Sequence, residues 1–505
     1  MKSKNILAVG ALAAMFLCGC SDSFLELDSP TQNSIEDYFT TEEHVYEALI
    51  AAYDPLQWPD WNGDQYNPVN MVSDIMADDV WVGGSDATDN QFMHLMMNFE
   101  ATPNICMSGL WSVEYSGVKR CNDVITYLEW AGDTIDDETH DSYEAQARVL
   151  RDYYYNNLWK FWGNIPYYTE NLEDPYLTDQ WAADDVYEAM ITDLEEAIDI
   201  DALPMKEDDA SVGLVTKAMA YMLYAEIVMY QCDESRYSQA LDYMLEIINS
   251  GEYSLNSDYA ALWEESGEWC SESIWEINYK DDDAVRSWDG PLVAGGTVLP
   301  RLISPYNFSD TSGSGLTNGW GFEPIRLETY ERYEEGDTRR DATCLRASDY
   351  GTYSERYQDT GYFLGKYIAY SANNADQLAD GDLNFNNNLR VYRYAECLLN
   401  AAELLIRTGG STSTATTYLN EVRSRAGLTD TKTASIDNII DERQLEFVGE
   451  GKRYWDLVRT GKASSVLVPD DYGYRTNTWT ENKKYLPIAQ TEIDAAQGTL
   501  TQNDY

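Results

Sequence analysis

The sequence predicts a mainly α protein in which stacked helix pairs support an irregular, loop-rich part with a few short strands. Three observations predict it. Apolar residues recur at helical spacing through 36–250 and again through 389–505. The Tyr-x-x-Ala-Leu spacing of Tyr237-Ser-Gln-Ala240-Leu241 is that of tetratricopeptide-like helix pairs, although no strict repeat period is kept. Between 251 and 388 the periodicity gives way to turn residues.

Taken in chain order, Val45, Leu49 and Ala52 stripe a helix over 41–54 that Pro55 ends. Leu110, Val113, Val118, Val124, Ile125 and Leu128 predict a second over 109–130. A third over 141–162 stops at Gly163 and Pro166. The segments 184–199 and 213–231 form a pair around a loop holding Pro204, and 236–249 follows. A further pair, 389–407 and 412–425, breaks at Gly409-Gly410, and 436–449 and 452–459 add two more helical stretches. Each pair buries its apolar face on its neighbours, so a curved stack is expected. Trp111, Trp159, Trp162 and Trp455 fall on these stripes and are expected in the core, as are Cys121, Cys232 and Cys397. In the middle part, Asp281-Asp282-Asp283, Gly295-Gly296, Ser309–Gly321 and Asn384–Asn388 mark loops, and Ser273–Tyr279 alternates like a strand.

The N-terminus is an export signal. Lys2 and Lys4 precede an apolar run over 5–17, too short to span a bilayer, which closes in Leu17-Cys18-Gly19-Cys20. This arrangement predicts a signal peptide over 1–19, lipid attachment at Cys20 and a flexible tether over 20–35. The remaining chain, 36–505, is expected to be one unit with parts at 36–250, 251–388 and 389–505. A formal charge of −54 repels phosphates and excludes nucleic acid as a partner. The six cysteines beyond Cys20 show no C-x-x-C spacing, so neither a zinc site nor a redox pair is indicated.

Several segments together resemble the SusD/RagB family of outer-membrane, glycan-binding lipoproteins. They are the lipidated start Cys20-Ser-Asp-Ser-Phe-Leu-Glu-Leu-Asp-Ser-Pro30, the tyrosine-rich Gln146–Pro166, and Leu389–Glu403 with its Arg393-Tyr-Ala-Glu396. Asn420–Gly427, Glu442-Arg443, Glu446-Phe447, Gly451–Gly461, Tyr485-Leu-Pro-Ile488 and Gln502-Asn503 follow in order. Ala489 and Asp504 depart from the family's closing pattern. The resemblance implies a SusD-like fold and an outer-membrane, lipid-anchored location facing the cell exterior. It also implies a SusC-like TonB-dependent transporter as partner, which the protein caps as a lid while delivering oligosaccharide. Arg393, Glu396, Glu442 and Arg443 have the spacing of buried salt bridges and are expected to be structural.

A ligand must therefore be sought among aromatic residues in turn-rich segments, because the C–H face of a sugar stacks on flat rings while amides, carboxylates and guanidinium groups bond its hydroxyls. Three segments qualify: Asp78–Phe92, Arg286–Gly290 and Tyr306–Gly321. The resemblance points to Trp81, Trp288, Tyr306 and Trp320, with Asp79, Asn90, Arg286 and Asn307 as polar partners. Trp58 and Trp61, in a turn after Pro55, are candidates for ligand or transporter contact. A neutral, β-linked plant-type polysaccharide is the expected ligand. A peptide, as some relatives carry, is the alternative.

Catalysis is not expected. The three histidines (44, 94, 140) sit in no metalloprotease motif, and no pair among the abundant carboxylates stands out as a glycosidase pair, which leaves a surface glycoside hydrolase as the remote reading. No cofactor is expected. Asp380, Asp382 and Asn384 match the opening ligands of a calcium loop, but Phe385 and Val391 occupy its required glycine and glutamate positions.

Overall fold

The computed structural model describes residues 34–208 and 210–505. The expected signal peptide, Cys20 and the tether up to residue 33 lie outside the described residues. The tether's last predicted residue, Ile35, already begins a short helix, Ile35–Tyr38, capped by Ser34.

The periodic stretches form the helices Glu42–Tyr53, Gly109–Ala131, Asp137–Trp162, Ala183–Asp199, Lys217–Gln231 and Tyr237–Ser250. Side-chain oxygens of Thr41, Asp136 and Thr216 accept from backbone N–H groups of the first turns and fix where three of these helices begin. Each long helix packs on the next, and Tyr237–Ser250 passes the stack on to Tyr394–Arg407 and Thr412–Arg425. Ile436–Glu446 and Arg453–Arg459 close it. Gly117 allows the close approach of two of these helices: a Cβ there would lie 2.4 Å from the Tyr154 ring. Trp111, Trp159, Trp162 and Trp455 are buried as expected, as are Cys121 and Cys397. Cys232 is not; it is exposed at the left-handed C-cap of Lys217–Gln231.

Among the described residues the strands are short and pair antiparallel two by two. One pair corrects the predicted helix at 389–407. Leu389–Arg393 is a strand, paired with Ser273–Ile277, and the helix begins only at Tyr394. The pair ties the loop-rich part to the C-terminal helices, with Trp275 wholly buried beneath it. The first long helix ends at Tyr53, just ahead of Pro55 as expected, and a separate 3-10 helix, Asp54–Asp60, follows with Pro55 in its first turn.

A buried charge network locks the same seam. Arg393 lies 2.5 Å from Glu272, 3.0 Å from Glu446 and 2.8 Å from Glu450. Arg339 binds Asp337, Glu442 and Glu446, Lys366 binds Glu450, and Arg425 binds Glu272 and Glu446. Arg443 joins Glu396 to Asp456. Burial alone would raise the Glu446 carboxyl, yet Arg425, Arg393 and Arg339 outweigh it and hold it well below the usual range. The family-matching arginines and glutamates are thus structural.

Candidate functional site

The loop-rich part and the turn after Asp54–Asp60 bring four half-buried aromatic rings together. Trp288 meets Trp61 edge to face at 5.2 Å and Trp320 at 6.0 Å with a 30° tilt, while Tyr66 lies 5.6 Å from Trp320 and 4.8 Å from Trp61. Buried Phe322 supports Tyr66 from beneath, at 6.4 Å.

Each ring is positioned by its own loop. Trp61 follows Asp60, and Tyr66 follows a tight turn closed by paired backbone bonds between Asn62 and Gln65. Trp288 sits in the turn Ser287–Gly290, its backbone N–H donating to the Asp380 carboxylate at 3.2 Å. Beneath that turn, Arg286 donates to the carbonyls of Pro291 and Gly296 and lies 3.4 Å from Asp60. Asp60 also accepts from the Val298 N–H at 2.7 Å. Burial raises the Asp60 carboxyl, opposed by Arg286 and the Thr297 and Val298 hydrogen bonds. Trp320 is set by Gly319, whose place a side chain could not take: a Cβ would lie 2.4 Å from the Ser304 backbone oxygen.

Polar groups rim the rings. Arg356 donates to the Trp320 carbonyl at 2.6 Å, stands 4.5 Å from the centre of the Tyr306 ring and lies 3.5 Å from Asp89. Asn90 donates to Asp89, and Asn307, exposed and left-handed, donates weakly to Ser354 at 3.4 Å. Burial raises the Tyr66 phenol, with Asp89 and Asp382 adding to it, so at neutral pH it stays a neutral hydroxyl. The surface offers ring faces for stacking and neutral and charged groups for hydroxyls, the two needs of a sugar site.

The structure brings Trp288 and Trp320 into this cluster and places Tyr306, Asn90 and Asn307 on its rim or beside it. It removes three candidates. Trp81 is 2 % exposed, sandwiched between Arg326 at 3.6 Å and the rings of Tyr472 and Tyr474. Asp79 is fully buried, accepting from Gln444 at 2.6 Å. Arg286 is fully buried as a brace beneath the site. All three are closed off from the surface. Trp58, a candidate for ligand or transporter contact, is also buried, under Arg120. Tyr66, Asp89 and Arg356 are additions to the candidate set. Tyr66 follows Asn62-Gly-Asp-Gln and meets the same criterion, an aromatic ring in a turn-rich loop, that singled out Trp288.

The calcium candidates are otherwise engaged. Asp380 accepts from Trp288, Asp382 pairs with Arg301 at 2.7 Å, and the Asn384 amide donates to the Arg286 and Asp380 carbonyls. Among the described residues no His/Cys/Asp/Glu group is placed to hold a metal ion.

A mainly α stack of helix pairs supporting a loop-built half with paired short strands is the architecture of SusD-type proteins. The chain belongs to the SusD family: that family's model matches residues 271–505, and a model described as starch-binding, associating with the outer membrane, matches 23–229. The surface glycan-binding protein A of Bacteroides thetaiotaomicron, solved in complex with laminarihexaose, is similar at 60% identity and a TM-score of 0.89, over 92% of this chain and 100% of that one. Surface glycan-binding protein A of Bacteroides uniformis is similar at 52% identity and a TM-score of 0.85, over 92% and 100% of the two chains. SusD-like protein P25 of Formosa agariphila is 25% identical over the whole length of both chains. No helix among the described residues is long and apolar enough to cross a membrane.

Proposed function

We propose that this protein captures a neutral β-glucan of the laminarin type at the cell surface and passes it to a TonB-dependent outer-membrane transporter. The cluster of Trp61, Tyr66, Trp288 and Trp320 carries the reading. Its rings do not lie in one plane: Trp61 stands at 87° to Trp288, and Trp320 tilts from Trp288 by 30°. Such a surface suits a curved β-1,3-linked chain better than a flat β-1,4-linked ribbon. The laminarihexaose bound by the 60% identical relative has this curved linkage. Lipid on Cys20 would keep a binder of modest affinity concentrated at the transporter mouth. The role is binding without turnover.

Titration calorimetry with laminarihexaose, cellohexaose and a mixed peptide pool tests the reading. Heat of binding with laminarihexaose and little with the other two is expected. Binding of peptide alone would overturn it. A Cys20→Ala change is expected to abolish surface retention in cells and leave binding by the purified protein intact.

A further inference from the structure

A second aromatic surface begins at Tyr357, the residue after Arg356 of the first cluster's rim. Tyr472 and Tyr474 lie nearly parallel, at 12° and 5.9 Å between ring centres, and Tyr357 stands 5.4 Å from Tyr474. Tyr472 is 52 % exposed. The rings are held rather than loose. Asp470 accepts from the backbone N–H groups of Tyr472, Tyr474 and Arg475. Arg475 is itself buried, donating to the carbonyls of Met97, Met76 and Ala77. Behind the tyrosines stands Trp81, 5.8 Å from Tyr472 and 5.1 Å from Tyr474, clamped from its other side by Arg326. The Tyr472 hydroxyl is oriented by Glu328 at 3.1 Å.

We propose that Tyr357, Tyr472 and Tyr474 form a second contact surface for the same neutral polysaccharide; this rests on the first cluster being the glycan site. Two observations commit the surface to that occupant. It is continuous with the first site: Arg356 touches Tyr306 and the Trp320 carbonyl, and the next residue, Tyr357, opens the second surface while its N–H donates to Gly84. Arg326 and Arg475 lie buried behind it, and the charged groups nearer solvent are acidic, with Asp86, Asp470, Asp471, Glu328 and Glu331 nearby, so an anionic partner is repelled and a neutral hydroxylated one is not. A long chain leaving the first cluster then gains a second hold, at high effective concentration, without a second encounter.

The test compares the parent with Tyr472→Ala, Tyr472→Phe and Trp288→Ala, using laminarihexaose in calorimetry and laminarin polysaccharide in affinity gels. Tyr472→Ala is expected to weaken polysaccharide retention roughly threefold to tenfold, the scale of one lost stacking contact. It should leave hexasaccharide affinity unchanged, and Tyr472→Phe should behave as the parent on both. Parent-like polysaccharide retention by Tyr472→Ala overturns the proposal and leaves the first site standing. Equal losses on hexasaccharide and polysaccharide overturn it too, because the tyrosines would then belong to the first site. If Trp288→Ala keeps full hexasaccharide affinity, the reading of the first cluster fails instead. A parent that binds neither probe overturns both.

Discussion

Arg286 and Asp60 form a wholly buried ion pair at 3.4 Å, and the aromatic residues just beyond them, Trp288 and Trp61, meet edge to face at 5.2 Å. Two loops far apart in sequence are thus joined beneath the surface by charge and on the surface by stacking. The spacing of the rings is set from below.

This brace predicts a coupled loss. Arg286→Met strands the Asp60 carboxylate in the interior and is expected to cost about 3–5 kcal/mol of stability. Glycan affinity should fall in parallel, because Trp61 and Trp288 lose their shared support. Denaturant unfolding and calorimetry on the same preparation check both. A destabilised variant with parent-like affinity would show that the pair does not set the site.

Gly319→Ala probes Trp320 without touching its ring. The added Cβ meets the Ser304 and Arg301 backbone oxygens at 2.4 and 2.7 Å, so the loop must move. Affinity for laminarihexaose should drop by about an order of magnitude, the price of one displaced stacking contact and its rim. Trp320→Phe, which keeps an aromatic face, should lose less.

Binding should be nearly insensitive to salt. The chain carries a formal charge of −54, but a neutral ligand held by stacking and hydrogen bonds feels little of it. A Kd constant within about twofold between about 0.05 and 0.5 M NaCl is expected. A steep salt dependence would indicate a charged ligand.

Acid should remove the stabilisation that the ion-paired buried carboxylates Glu226 and Glu446 contribute. Burial alone would raise Glu226, yet Lys160 and Lys452 bring it down to about 2, with help from the Tyr392 hydroxyl. A carboxylate depressed in the fold stabilises above its unfolded value, near about 4.3, and that contribution is lost as pH falls toward its folded value. Glu446 acts in the same direction. Measured by denaturant, the stability advantage of the parent over Glu226→Gln should therefore shrink from about pH 4.5 downward, and an advantage that does not change with pH would contradict this.

The helices were legible because their apolar stripes are long and local. The strand Leu389–Arg393 was not: it runs directly into Tyr394–Arg407, and what makes it a strand is its partner at Ser273–Ile277, invisible to local pattern. The same limit explains the site. Trp288 and Trp320 announced themselves as rings among turn residues. Trp81 stands in an equally polar neighbourhood, yet its flanks pair with a distant segment, Val80 with Ile325 and Gly83 with Phe322, which folds the ring inward. Arg286 read as a loop charge because its acceptors, Asp60 among them, come from elsewhere in the chain. Arg356 carried no signal of its own, since its role exists only where three loops meet.

The central claim is that the four-ring cluster holds the glycan. Laminarihexaose titrated by calorimetry into the parent and into Trp288→Ala, with matched circular dichroism and melting curves, tests it most directly. Loss of at least about thirtyfold in affinity with the fold intact is predicted, the scale of a truncated tryptophan anchor. An unchanged Kd in the folded variant would contradict the account.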